Sequence, residues 1–243
     1  MPTGIIINTF AIAIGGVLGA VFADKVPTKV KSELTQIFGV CALGMGITSV
    51  ILMKNMPAVI FSVVLGSAIG LWCNLGEWIS RGASLMQKPV AKLAKNKNTA
   101  MSQDEYTALL VTIIVLFCAS GSGIYGALDS GMSGDHTILI SKSILDFFTA
   151  LIFACNIGMA VPLVAVPQFI IFMIIFMLAR FIYPLTTPAM IADFKACGGI
   201  LLLATGFRIA GMKQFPTADM IPAMIIVMPV SRLWTDCIVP LFG

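Results

Sequence analysis

The chain has 243 residues, 58% apolar and 11% charged, with a formal net charge of +4 and a mean hydropathy of +1.00. A soluble domain carries about 25% charged residues, so this composition excludes a soluble globular protein and points to an all-α polytopic membrane protein. The ~10-residue alternating segments of a membrane β-barrel are absent. The basic residues sit between apolar runs rather than on one face, so the positive balance does not imply a nucleic-acid partner.

Runs near the ~20 residues needed to cross a bilayer predict about eight spans, at 4–23, 34–53, 57–79, 107–127, 137–161, 167–185, 194–212 and 219–237. The first run starts at Gly4 with no basic residue before it, and reads as a span rather than a cleaved signal peptide. It carries Asn8 and the close-packing series Gly15, Gly16 and Gly19. Lys25, Lys29 and Lys31 follow. The second run holds Gly39, Gly44 and Gly46, and its stretch through Thr48 and Ser49 is open to a re-entrant reading. The third holds Gly66 and Gly70 and ends on Glu77-Trp78, an interfacial anchor.

A basic loop is predicted over 80–106, with Arg81, Lys88, Lys92, Lys95 and Lys97. Leu85, Met86, Val90 and Leu93 are interleaved with its lysines. Its first half therefore reads either as an amphipathic helix on the membrane surface or as a solvated loop. Central helices occupy 107–161. The first of them ends in Ser120-Gly-Ser-Gly-Ile-Tyr-Gly126, before Asp129, Gly131, Gly134, Asp135 and a loop histidine, His136. The last three spans carry Gln168, Gly199 and Gly206. Arg180, Arg208 and Arg232 lie near span ends, where arginines snorkel. The Lys/Arg bias places the loops after spans one and three in the cytoplasm, with both termini outside.

At an offset of 160, Asn8 falls on Gln168, Leu18 on Leu178, Glu33 on Asp193, Gly39 on Gly199 and Gly46 on Gly206. A five-residue insertion then sets Pro57-Ala58 on Pro222-Ala223. The chain so reads as one integral membrane domain, 1–243, with repeat units at 4–79 and 167–237. Five crossings separate the unit starts, so the units would have opposite topology, the plan of many secondary transporters. In that arrangement Asn8 and Gln168 sit toward opposite membrane faces, lining or gating the two ends of one path. Plain interhelical hydrogen bonding is the other reading of this pair.

Asp146 lies about ten residues into the fifth run, ~15 Å deep at 1.5 Å per residue, close to the middle of a ~30 Å hydrocarbon core. An ionisable group there is costly unless paired or wetted, and marks a functional site by default. Lys142 stands four residues earlier on the same helical face. Lys142, Ser143 and Asp146, with Asn156, Asn8 and Gln168, form the candidate solute or ion path. A structural ion pair is the alternative for Lys142 and Asp146. The six cysteines, Cys41, Cys73, Cys118, Cys155, Cys197 and Cys237, include no Cys-x-x-Cys pair and read as packed free thiols. With one histidine there is no metal cluster. No catalytic motif appears, and Ser143 beside Lys142 points ~100° away from it on a helix, a poor Ser-Lys dyad. The expectation is a protein that is not an enzyme and takes no cofactor or metal.

Several of these elements resemble the YqgA/YdfK-like family of bacterial membrane proteins, the domain of unknown function 554. They are Gly4-Ile-Ile-Ile-Asn8, Gly15-Gly16-Val-Leu-Gly19, Gly39 through Gly46, Lys142-Ser143-Ile-Leu-Asp146-Phe, Pro167-Gln168 and Cys197-Gly198-Gly199. The resemblance covers the whole chain, and Lys-Ser-x-x-Asp is its specific element. Phe169 stands where the family often has glycine. The resemblance implies a multi-pass protein of the bacterial cytoplasmic (inner) membrane, suspected of transport, and names no substrate. The function expected is a small secondary transporter coupled through Asp146. It would move a small solute or ion, with the lipid bilayer and a homo-oligomer as partners. A channel and a non-transporting scaffold are the alternatives.

Overall fold

The structure, a computed structural model, describes residues 1–22, 27–94 and 102–242. Helices account for every regular element among them: α1 (Thr3–Val21), α2 (Thr28–Val50), α3 (Met56–Trp72), α4 (Leu75–Ala94), α5 (Gln103–Cys118), α6 (Gly121–Met132), α7 (Thr137–Ile157), α8 (Ala160–Ile182), α9 (Pro188–Ile209), α10 (Pro222–Leu233) and α11 (Val239–Phe242). A 3-10 turn at Tyr183–Leu185 follows α8, and a π-helical turn at Trp234–Ile238 links α10 to α11. Among the described residues, seven helical stretches are long and apolar enough to cross a membrane, with α5–α6 and α10–α11 each counted as one, or eight if the bent pair α3–α4 is also one span.

Local chemistry explains where the elements depart from the predicted spans. The third predicted span, 57–79, breaks at Cys73–Asn74. Asn74 takes a positive φ of 51°, which asparagine tolerates better than most side chains, and α3 and α4 meet there at a 59° bend. Glu77-Trp78 thus belongs to α4, a helix running from within that span into the predicted basic loop. Its inner face buries Ala83, Gln87 and Val90, while Trp78, Leu85 and Leu93 are exposed. Lys25, Lys95 and Lys97 lie outside the described residues.

The predicted fourth span, 107–127, is two helices. A capping box starts α5: the Ser102 hydroxyl accepts from the Glu105 N–H, and the Glu105 carboxylate accepts from the Ser102 N–H. The helix stops at Ala119, and α6 restarts with Ser120 as N-cap, its Oγ accepting from Gly123 N at 3.2 Å. The next break falls at Gly158, whose φ is +67°, so the predicted connection at 162–166 lies inside α8. Thr187 caps α9 by accepting from Met190 N, and Pro188 fills its first position, where the missing N–H is harmless.

Close glycine contacts set the helix directions. A Cβ on Gly4 would press on Leu139, one on Gly15 on the Phe147 carbonyl and one on Gly19 on the Leu151 carbonyl, so α1 and α7 run parallel. Gly16 lies against Pro162 while Asn8, two turns earlier, meets Gln168, which makes α1 and α8 antiparallel. The antiparallel pair α2–α9 meets backbone to backbone. Gly46 packs on the Gly199 carbonyl and Gly206 on the Gly39 carbonyl. Gly66 of α3 meets Ala223 of α10, and Gly70 meets the carbonyl of Asp219, just ahead of α10. Both termini therefore lie at one end of the bundle. The other end carries Lys29, Lys31, α4 and the segment 210–221.

Burial is inverted relative to a soluble protein. Phe10, Ile14, Phe61, Val64, Ile174 and Phe181 face outward. Asn8, Gln168, Asp129, Lys142, Asp146 and Asp193 are buried. An outward apolar surface with polar groups held inside is what a hydrocarbon solvent selects. Cys118 and Cys197 are buried, whereas Cys41, Cys73 and Cys237 are exposed free thiols.

Candidate functional site

Three helices converge on Asp146. From α7 itself, the Lys142 ammonium donates to both carboxylate oxygens, at 2.6 and 2.8 Å. From α1, Asn8 Nδ2 donates to Asp146 Oδ2 at 2.7 Å. From α8, Gln168 Nε2 donates to Asn8 Oδ1 at 2.9 Å, and Thr9 Oγ1 donates to Gln168 Oε1 at 2.9 Å. The glycines of α1 let it approach α7 and α8 closely enough for these short side chains to meet. Asn8 and Gln168 thus do not sit toward opposite faces: they touch, and the gate reading of this pair gives way to interhelical hydrogen bonding.

The other two predicted path residues stand apart. Ser143 is buried but donates to the Leu139 carbonyl one turn back, at 2.6 Å. Serines in apolar helices commonly satisfy themselves this way. Asn156 is exposed in the last turn of α7, about 15 Å along the helix from Asp146 at 1.5 Å per residue.

Lys142 and Asp146 lie at the floor of a cavity of about 830 Å³. Apolar groups dominate its walls: Phe38 and Met45 of α2, Val115 and Leu116 of α5, Phe153 of α7 and Leu202 of α9. Ser120 and Ser122, at the break between α5 and α6, complete the floor. Gln214, Phe215 and Pro216 form an exposed rim at the end carrying the 210–221 segment. Arg208 donates to Thr217 Oγ1 at 3.3 Å, and Asp219 accepts from Gly76 N at 2.8 Å, pinning that segment to α9 and α4.

The break has chemical consequences. The first-turn N–H groups of α6 have no acceptor within their own helix, and the helix dipole places partial positive charge at that terminus. The last carbonyls of α5 face the same region with the opposite polarity. An interrupted helix at membrane depth is tolerated where it lines a cavity, and Ser120 and Ser122 do so here.

A second cavity, of about 140 Å³, lies toward the opposite end. On four helices the lining passes from the large cavity to the small one: Met45 to Thr48 on α2, Ser122 to Tyr125 on α6, Lys142 to Ile138 on α7, and Leu202 to Lys195 on α9. Tyr125, buried against Gly198 and edge-on to Phe194, fills the layer between. Its hydroxyl donates to Ser49 Oγ at 3.4 Å.

Beyond that layer, Lys195 bridges Asp129 at 3.2 Å and Asp135 at 2.8 Å. Burial disfavours the charged form of Asp135. The Lys195 hydrogen bond, those from Thr137 and the Lys195 charge outweigh it and hold the carboxyl down at about 2. Lys195 and its partners are far apart in sequence, so the cluster had no local signature. Asp129 and Asp135 showed only as acids in a glycine-rich stretch.

The fold and its buried polar chain define a multi-pass α-helical membrane protein. The chain belongs to the family described as protein of unknown function DUF554, which matches residues 3–232. It is 45% identical over 235 residues to the uncharacterised protein YqgA of Escherichia coli strain K12, covering 97% of this chain and 98% of that one. It is 26% identical over 223 residues to the uncharacterised membrane protein YdfK of Bacillus subtilis strain 168, covering 92% and 93%. No solved structure matches.

Proposed function

We propose that this protein is a small secondary transporter, not an enzyme. It binds a small organic anion above Lys142 and Asp146 and exposes that site alternately to the two sides of the bacterial cytoplasmic membrane. The observation that carries this reading is the one-sided cavity of about 830 Å³, whose buried floor holds the Lys142–Asp146 pair. Its size lies within the ~300–1,000 Å³ of small-molecule sites, and its character, apolar walls with few convergent polar groups, fits that class. The Lys142 ammonium and the N-terminus of α6 favour an anionic head group; the apolar walls favour a carbon skeleton.

The helix contacts support the repeat as well. Shifting the Gly46–Gly199 contact by the repeat offset turns it into Gly206–Gly39, the other contact of the same pair. Asn8 likewise meets Gln168, its own counterpart. Both are what a twofold axis lying in the membrane between inverted units produces. The filled layer at Tyr125 favours a carrier over a standing pore. The Lys/Arg bias favours the basic end, and so the cavity mouth, on the cytoplasmic side, with both termini outside.

The test is uptake into proteoliposomes for a panel of small organic anions, preceded by a screen for ligand-dependent thermal stabilisation. Saturable uptake lost in a folded Asp146→Asn protein is the expected result. Unitary current steps would replace the carrier with a channel. No binding, together with full function in cells of a variant with Lys142 and Asp146 exchanged, would leave a scaffold.

A further inference from the structure

The small cavity beyond Tyr125 is a separate feature from the large one. Asp129 is fully buried at its wall, and its Oδ2 atom has no hydrogen-bond partner. A buried carboxylate oxygen without a partner is rare and needs an occupant or a water to explain it. Asp129 Oδ1 is already served, by Ser133 Oγ at 2.6 Å and by Lys195 at 3.2 Å.

The hydroxyls around the cavity are turned to accept. Thr48 and Ser49 each donate their only hydroxyl proton to the Met45 carbonyl, at 2.8 and 3.2 Å. Their oxygens therefore present lone pairs rather than protons to the cavity, one of those on Ser49 already accepting from the Tyr125 hydroxyl. Such a lining suits a cation, because the Lys195 ammonium on the same wall is taken up by Asp129 Oδ1 and Asp135. Charge sets its valence: Asp129 and Asp135 share the single ammonium of Lys195, leaving one negative charge. Size agrees: about 140 Å³ exceeds the ~30 Å³ of one water, room for an ion with part of its hydration shell. No group of three or more His, Cys, Asp or Glu side chains among the described residues could hold a metal ion, so a transition metal does not fit. Hard monovalent ions take oxygen donors of the kind found here.

We propose that the cavity bounded by Asp129, Thr48, Ser49 and Tyr125 binds one monovalent metal cation of the Na⁺ type, with Asp129 Oδ2 as its charged ligand. The site lies across the Tyr125 layer from Lys142 and Asp146. It stands whether or not the large cavity carries a solute. If the transporter reading also holds, this cation is the coupling ion.

Other charged or titratable groups near the site are already engaged. His136 Nδ1 is bonded to Ser130 Oγ at 2.7 Å. Asp193 of α9 is committed to Lys54, Asn55 and Ser231. Arg180 of α8 is exposed and lies over the Phe176 ring.

The experiment is thermal unfolding of the purified full chain in detergent, with NaCl exchanged for choline chloride at constant ionic strength and pH. The expected result is a midpoint that rises with Na⁺ and saturates, and that does not respond in Asp129→Asn. Thr48→Val, which removes one oxygen and keeps the shape, should move half-saturation about tenfold higher, the equivalent of ~1.4 kcal/mol. It also serves as the decisive variant if Asp129→Asn does not fold. A midpoint indifferent to Na⁺, or equal Na⁺ responses in parent and variants, overturns the proposal. So does an Asp129-dependent response to acid with none to Na⁺, which would make the site a protonation site. No solute enters these measurements, so a failure here leaves the carrier reading standing, and a failed uptake panel leaves this site standing.

Discussion

Asp193 and Glu33 correspond at the repeat offset, in helices packed antiparallel, yet they live differently. The Asp193 carboxylate is fully buried. It accepts from the N–H groups of Lys54 and Asn55, from Asn55 Nδ2 and from Ser231 Oγ, at 2.6 to 2.8 Å. It ties together the α2–α3 connection, α9 and α10 at the terminal end. Glu33 is exposed, and the connection it would tie, 210–221, forms the rim of the large cavity. One end of the bundle is latched and the other gapes. On the proposed transporter reading, this difference between the two ends is one half of a cycle.

The sharpest way to break that comparison is to cut the latch. Asp193→Ala leaves two backbone N–H groups and two side-chain donors without their acceptor, each at about 1–3 kcal/mol. The expected loss is on the order of 4 kcal/mol, read as a lower unfolding midpoint in detergent. Glu33→Ala, on the exposed counterpart, should stay within ~0.5 kcal/mol. Equal effects would mean the two ends are not in different states.

Removing the layer between the cavities comes next. Tyr125→Ala deletes a ring packed on Gly198 and Phe194, a loss of about 3 kcal/mol by analogy with other buried aromatics. It should also join the two cavities, so proteoliposomes bearing the variant should leak small ions that the parent retains. A tight variant would show that something other than Tyr125 closes the terminal end.

The α2–α9 contact sharpens the comparison by its reciprocity. Gly46→Val forces a side chain onto Leu203 and the Gly199 carbonyl, an overpacking cost of about 2 kcal/mol. Gly206→Val, pressing on Leu43 and the Gly39 carbonyl, should cost a similar amount. Gly44 has open space where a Cβ would go, so Gly44→Ala should be neutral or gain up to ~1 kcal/mol of helix propensity. Chemical unfolding of the three variants side by side separates contact from composition.

The smallest effect belongs to Asp135. Its carboxyl is held at about 2, below the unfolded value of ~3.9. The stability it contributes is therefore present above the unfolded value and lost as pH falls through the folded one. Because its side chain is 40% exposed, solvent screening keeps that contribution under ~1 kcal/mol. Asp135→Asn should lower the unfolding midpoint slightly at neutral pH, and the gap to the parent should close between about pH 4 and pH 2.

Much of this was legible where polarity interrupts apolar runs. Lys142, Asp146, Asn8 and Gln168 stood out because each is expensive in hydrocarbon, and the structure brings all four together. Their adjacency was not legible, since it depends on how α1 threads between α7 and α8. Asn156 carried the same signal but sits one turn from a helix end, where water is near. Glycine spacing marked Gly15, Gly16, Gly19, Gly39, Gly46, Gly199 and Gly206 as contacts, and each lacks room for a Cβ, but it marked Gly44 too, where a Cβ would meet open space. Gly44 has the same composition and touches nothing, because it faces away from α9. The breaks at Asn74 and Ser120 lay within runs apolar enough to read as single spans; a left-handed asparagine and a capping serine decide them. Lys195 and Asp129 could not be paired from sequence, because 66 positions separate them.

The exposed thiols have a practical consequence. Cys73 ends α3 beside the basic end, and Cys237 lies in the π-helical turn near the terminal end. Nature has left a tag at each pole of the molecule. A maleimide too polar to enter lipid, offered to intact cells, should mark the pole that faces outward and spare the other. The protein thus carries its own compass, readable by mass before any residue is changed.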